Sequence, residues 1–147
     1  MQDFLDADGV YLRTDSDGKK LFMQVLEELG LWFRWSSERQ NKFPDVAVRL
    51  NGRLSVIEHK HMKEGGGGQD KQIGELIDFI RQNDPQVSYI SFLDGVYFNE
   101  LAVADQSERK SRAQLNQIRQ ALRANRYNYF VNTAGFLHWL SLNGKST

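Results

Sequence analysis

The chain contains no cysteine. Disulfides and thiolate metal sites are thereby excluded, and a reducing, cytoplasmic location is the expectation. No apolar stretch approaches the roughly 18–20 residues that span a bilayer, so no membrane partner is expected. The N-terminus lacks the basic stretch and apolar run of a secretory signal. A surplus of charge is also lacking, because 19 Lys and Arg balance 19 Asp and Glu. Nucleic-acid binding draws on positive charge, so in a neutral chain that function needs its cations gathered on one face.

The charge is in fact unevenly spread. Met1 to Asp17 holds five aspartates against Arg13 alone. This acidic N-terminal segment reads as turns, at Asp6-Ala7-Asp8-Gly9 and again at Asp15-Ser16-Asp17-Gly18, the second opening a helix. Neither turn has the ligand alternation and closing glutamate of a calcium loop. Asp105 to Arg126 holds Arg109, Lys110, Arg112, Arg119, Arg123 and Arg126 against two acids. That run is either a DNA-facing surface or a solvated helix face.

With 147 residues, 40% hydrophobic and 26% charged, the chain suits one domain over residues 1–147. A chain of this length buries roughly 68–70% of its unfolded surface, enough for a core without staples. Apolar residues three and four apart predict a helix over 19–29, ended by Gly30. Leu31 to Trp35 reads as a strand and Ser36 to Phe43 as a loop. Asp45–Leu50 and Arg53–Lys60 alternate as strands around Asn51-Gly52, the strongest short hairpin signal. A four-glycine loop follows at Gly65–Gly68, then a helix over 69–82, a buried strand over 87–93 and a turn over 95–99. A basic helix over 109–124, a strand over 127–132 and a helix over 133–142 complete the chain. This order predicts an α/β fold, a mixed sheet combining an antiparallel hairpin with parallel strands, covered by helices on both faces.

The hairpin carries the chemistry. Side chains alternate along a strand, so Glu58 and Lys60 share a face while Ile57 and His59 take the other. A turn centred between Asn51 and Gly52 places Asp45 opposite Glu58. Paired carboxylates repel unless a cation lies between them. Hard oxygen ligands favour Mg2+, with Mn2+ able to substitute. Asp45, Glu58 and the His59 carbonyl are the candidate ligands, and Lys60 would sit beside a scissile phosphate. The alternative is a cross-strand surface salt bridge of little energetic value.

Phe43-Pro44-Asp45 followed by Ile57-Glu58-His59-Lys60 resembles the PD-(D/E)XK nuclease superfamily, which includes restriction endonucleases, junction resolvases and repair nucleases. The resemblance spans roughly Gly18 to Leu142. It is closest to the cleavage domain of type II restriction endonucleases, including the type IIS kind, where a Gly-rich loop and a Gln-bearing helix also follow the catalytic lysine. It implies a restriction-endonuclease-like core, with Asp45 and Glu58 as metal ligands and Lys60 as the catalytic lysine. His59 departs from the pattern, since that position is often apolar. The superfamily often adds an acid from the first helix. Glu28 borders the apolar stripe there and is the candidate, with Glu27 turned to solvent. Gln69 is a further catalytic candidate at a helix N-terminus, where backbone N–H groups favour anions. Lys63, Lys71 and Gln72 flank the glycine loop and, with Arg109, Lys110, Arg112, Arg119 and Arg123, are the candidate DNA contacts.

The implied activity is magnesium-dependent hydrolysis of DNA phosphodiesters, leaving 5′-phosphate and 3′-hydroxyl ends. The implied partners are double-stranded DNA and either a second copy, forming a homodimer on DNA, or a separate recognition domain. The chain is short for a complete restriction enzyme and suits an excised cleavage domain. A Holliday-junction resolvase and a catalytically inactive nuclease-like binding module are the alternatives.

Overall fold

The computed structural model describes residues 2–14, 18–31, 43–63, 67–104 and 109–144. In chain order its elements are α1 (Gln2–Asp6), β1 (Val10–Arg13), α2 (Lys19–Glu28), β2 (Val46–Leu50), β3 (Arg53–His61), α3 (Gly67–Ile80), β4 (Val87–Asp94), α4 (Tyr97–Ala102), α5 (Arg109–Ala124), β5 (Tyr129–Val131) and α6 (Thr133–Asn143). The five strands form one mixed sheet in the order β1-β2-β3-β4-β5. The first three are antiparallel, and β4 and β5 run parallel to β3.

The β2–β3 hairpin organises this sheet. Asn51 (φ 51°) and Gly52 (φ 71°) both take left-handed backbone, whose twist matches that of paired strands. The turn fixes the register at Leu50↔Arg53, Ala47↔Val56 and Val46↔Ile57. One face of the sheet is then apolar through Ala47, Leu54, Val56, Val87 and Tyr89, and these pack with Phe22, Val25 and Leu26 of α2 and Phe79 of α3. Leu93 on β4 continues that layer against Ile73, Leu76, Ile77 and Ile80 of α3 and Ile118 and Ala121 of α5. The opposite face, through Val48, Leu50, Ile57 and Ile90, packs on Trp139, Phe136 and Leu140 of α6.

Two side chains fix helix ends that the apolar pattern leaves open. Asn128 donates to Ile80 O at 2.9 Å and Gln82 O at 2.7 Å, and accepts from Tyr89 N at 3.0 Å. It thereby satisfies carbonyls that the end of α3 leaves without intrahelical donors. Asn132 caps α6 by accepting from Gly135 N at 2.8 Å.

The structure revises several expectations. Residues 2–14 are more than turns, because they supply α1 and the edge strand β1, paired to β2 through Tyr11↔Val48 and Leu12↔Ala47. The expected start of α2 at Asp15–Asp17, most of the expected strand and loop over 31–43, and Gly65 and Gly66 lie outside the described residues. Gly67 and Gly68 already belong to α3. The turn expected at 95–99 is only a brief reversal, since Tyr97 starts the short helix α4 and buries its ring. Gly95 (φ 98°) makes that reversal possible, because a Cβ there would lie 2.2 Å from Met62 O.

Candidate functional site

The candidate site lies where β3 leaves the hairpin, at the carboxyl end of the parallel strands, the edge at which open α/β sheets bind ligands. β3 outruns β2 there. Asp45 N donates to Ile57 O at 2.9 Å, so Asp45 closes the ladder opposite Glu58, as the turn arithmetic predicts. Its backbone carbonyl accepts from Thr14 N at 3.3 Å, which ties this end to the segment after β1. The Asp45 side chain is exposed and accepts from His59 N at 2.8 Å.

Glu58 and Lys60 share the face covered by α2 and α3. Lys60 Nζ donates to Glu58 Oε1 at 2.6 Å. Glu58 is 0% exposed and Lys60 19%. Glu75, two turns into α3, brings Oε2 to 3.8 Å from the same ammonium. Across the parallel ladder Glu58 faces Ser91, a small residue whose hydroxyl donates to Leu76 O at 2.6 Å. Burying an ion pair costs desolvation that the mutual attraction only partly offsets, so this pair is a poor device for stability alone.

His59 and His61 take the other face. The His59 ring is exposed and lies 4.8 Å from the Phe92 ring, centroid to centroid. It is therefore not a buried core residue, as the often apolar position would have it. At the end of β4 a second carboxylate gathers partners. Asp94 accepts from Thr133 Oγ1 and from Gly95 N, both at 2.9 Å, and stands 3.3 Å from His61 Nδ1. The Thr133 hydrogen bond, then those from His61 and Gly95, hold its carboxyl below the ordinary value of 3.8.

The remaining candidates divide. Gln69 and Gln72 are half-buried and stand at three-residue steps before Glu75, so all three lie along one side of α3. The Gln69 Oε1 atom is buried and accepts no hydrogen bond. Glu75 escapes a sequence reading because only the tertiary approach of α3 to β3 relates it to Lys60. Its single sequence signal is the spacing from Gln69 and Gln72.

Glu28 stands at the end of α2. The Phe22 ring meets Phe43 edge-on at 5.9 Å, and the Lys19 ammonium lies over Phe43 at 4.8 Å. The beginning of α2 therefore stands at the Phe43-Pro44-Asp45 end. Glu28 is about 14 Å further along the axis at the usual rise per residue. It is exposed, as is Glu27.

Lys63 and Lys71 are exposed beside the glycine-rich segment. Lys110 pairs with Asp70 of α3. Arg112, Arg119 and Arg123 are exposed on α5, and their spacing puts them on one stripe opposite buried Gln114, Ile118 and Ala121. Arg109 is the first residue of α5. No helix among the described residues is long and apolar enough to cross a membrane.

Among the described residues no group of three or more His, Cys, Asp or Glu side chains is placed to hold a metal ion. The expected ligand set stays below that number, with two carboxylates and one backbone carbonyl. No protein-family model, no curated protein and no solved structure matches this chain.

Proposed function

We propose that this chain is a DNA endonuclease domain with a restriction-endonuclease-like core, hydrolysing phosphodiesters with a divalent cation at Asp45, Glu58 and Lys60. The observation that carries the reading is the buried Glu58–Lys60 pair, with Asp45 placed opposite Glu58 by the hairpin register. The sheet order supports it as well, since an antiparallel meander runs into a parallel strand through a helix that starts beside the site.

The donors fit a hard cation. Asp45 offers an exposed carboxylate, and Glu58 a second one on the paired strand. In an extended strand the N–H and C=O of a residue project to the same side. His59 N points at Asp45, so the His59 carbonyl turns the same way, past the end of β2. The ammonium of Lys60 covers Glu58, so a cation reaches that carboxylate by sharing or displacing it. Magnesium, or manganese in its place, would supply Lewis-acid polarisation of a phosphoryl oxygen and a more acidic water.

The chain's own groups supply the rest. Asp45 and Glu58 give the site the negative charge that concentrates a cation. Lys60, freed from Glu58 Oε1, reaches the scissile phosphate and offsets the charge that builds on its oxygens. Glu75 guides that ammonium from the α3 side, and the amides of Gln69 and Gln72 lie in line to orient the phosphate or the attacking water. The α5 arginines, with Lys63 and Lys71, position the duplex by its phosphates without reading sequence. Each arginine that contacts a phosphate contributes about 0.9 to the slope of log affinity against log salt, so replacing Arg119 with Gln lowers that slope by roughly one.

Supercoiled plasmid incubated with the protein and magnesium tests the reading. Nicking or linearisation that EDTA abolishes, and that Glu58→Ala and Lys60→Ala both lack, is the expected result. Equal cutting by parent and variants would refute the assignment, and no cutting by any of them would favour a binding module on the same fold.

A further inference from the structure

The ends of α3 and α5 border a cavity at the edge of the sheet where the parallel strands begin, opposite the edge that carries the candidate site. It holds about 260 Å3 and lies between two loops. Asp84 and Pro85 stand on the loop that enters β4, and Asn125, Arg126 and Tyr127 on the loop that enters β5. That size is below the roughly 300–1,000 Å3 of sites for drug-sized ligands and suits one base. The polar groups of its walls are acceptors. Asn125 Nδ2 donates to Ala121 O at 3.1 Å and to Ile80 O at 3.4 Å, which fixes the other end of the amide as its oxygen. That Oδ1 atom is buried and accepts no hydrogen bond, a cost that folded proteins seldom leave unmet. Asp84 accepts from Gln86 N at 2.8 Å through Oδ1, and among the described residues its carboxylate pairs with no cation.

The rim is cationic and held in place. Arg53 bonds Ser88 Oγ at 2.8 Å, Pro85 O at 2.9 Å and Val87 O at 3.3 Å, and its guanidinium lies 4.1 Å from the centre of the Tyr127 ring. Tyr127 in turn carries the Arg126 guanidinium, 4.5 Å from its ring and bonded to its hydroxyl. Arg126 is exposed and has no carboxylate partner among the described residues. Arg112, Arg119 and Arg123 form the exposed stripe of α5, and Arg126 follows three residues later, so the stripe ends on the pocket.

We propose that this pocket binds one unstacked guanine nucleotide, its base against Asp84 and Asn125 and its phosphate on Arg126. Guanine alone among the common bases sets two donors, the N1 proton and the 2-amino group, side by side on its pairing edge. The other bases put an acceptor beside their donor, which a carboxylate repels. A base taken out of its stack is read through that edge in a close-fitting pocket, and a guanidinium matches a phosphate in shape and charge. The nucleotide is either free or part of a strand whose backbone follows the α5 arginines. Only the second source rests on the nuclease reading. Because the pocket and the candidate site lie at opposite edges of the sheet, a base held here is not the one at the cut bond.

The test is an NMR titration of the isotopically labelled full chain without magnesium, so neither cleavage nor cation binding enters it. Guanosine monophosphate (GMP) is expected to shift amides of residues 82–86 and 124–128, with a dissociation constant below about 1 mM. Adenosine monophosphate (AMP) should bind about tenfold or more weakly, because it leaves buried acceptors unpaired. Asp84→Asn keeps the bond to Gln86 N but turns an amide donor toward the base, and is expected to abolish the preference for GMP. Arg126→Gln should lower the affinity for GMP to that for guanosine and leave guanosine unchanged. Asp45→Asn should bind GMP as the parent does, and urea midpoints check that each variant is folded. A DNA tetranucleotide with one guanine supports the proposal and assigns the strand if it binds more tightly than GMP and loses the gain in Arg119→Gln. One that binds no more tightly supports it with a free nucleotide. No shifts with GMP at about that concentration, equal affinity for AMP, or an Asp84→Asn variant with the parent's preference overturns the proposal and leaves the Asn125 oxygen to water. Loss of GMP binding in Asp45→Asn overturns it too, by placing the nucleotide at the other edge.

Discussion

Two carboxylate clusters stand at the same edge of the sheet, on opposite faces, and they differ in what they cost the fold. Glu58 is wholly buried with Lys60 beside it, on a face whose interior is mostly apolar. Asp94 is half-exposed and holds Thr133, Gly95 and His61. The half-exposed cluster is inexpensive and ties α6 to β4, which explains it without further function. The buried pair gives up hydration for little gain in stability. Costly burial of charge where strands end is what a working site would need, and on that ground the proposed function places its chemistry on the Glu58 face.

The largest expected effect is on catalysis. Asp45→Asn should lower the cleavage rate by about a hundredfold or more, on the scale of losing one aligned electrostatic group. It should also weaken magnesium binding in calorimetry. Its carboxylate is exposed and bonds one backbone N–H, so the unfolding free energy from urea titration should change by no more than about 1.5 kcal/mol. Asp94→Asn should leave both cleavage and magnesium binding near those of the parent; a comparable loss there would erase the distinction between the clusters.

The next effect is on stability and separates the two roles of the buried pair. Lys60→Met alone should cost about 3–5 kcal/mol, because it leaves Glu58 as a buried charge without its ammonium. Glu58→Leu combined with Lys60→Met should be neutral or stabilising by about 1–4 kcal/mol, as in other replacements of buried pairs by apolar side chains. Chemical unfolding of the three proteins measures this. A double variant much less stable than the parent would mark the pair as structural.

The smallest effect concerns acid. The Asp94 carboxyl is held below its ordinary value of 3.8 chiefly by Thr133. The stability that this lowering contributes is complete above the unfolded value and is lost as pH falls through the folded one. Thr133→Val should therefore flatten part of the decline in melting temperature below about pH 4, the range set by the free carboxyl. An unchanged acid limb would show that Thr133 does not act on Asp94.

The hairpin and its register were legible because Asn51-Gly52 admits few geometries and because side-chain alternation is local. So were the helices over 19–28, 67–80, 109–124 and 133–143, whose apolar spacing reports one buried side. The edge strand β1 was not legible, since Val10–Arg13 is four residues between turn formers and is held only by its partner β2. The short helix α4 was hidden because Tyr97 and Phe98 follow a strand and read as its end. Residue spacing places Glu28 at the border of the buried side of α2 but says nothing of which end of a helix meets a site. Glu75 and Asn128 act across 15 and 48 residues of chain respectively, to Lys60 and to Ile80 O, and only the assembled layers bring them there.

The most direct test of the central claim is the single-turnover cleavage rate of a short labelled duplex with saturating magnesium, for the parent, Glu58→Ala, Lys60→Ala and Asp94→Ala. The account predicts 5′-phosphate products from the parent and from Asp94→Ala at similar rates, with loss of about 10²–10³-fold or more in the other two. Cutting lost in Asp94→Ala and kept in Lys60→Ala would place the chemistry on the opposite face of the sheet and contradict it.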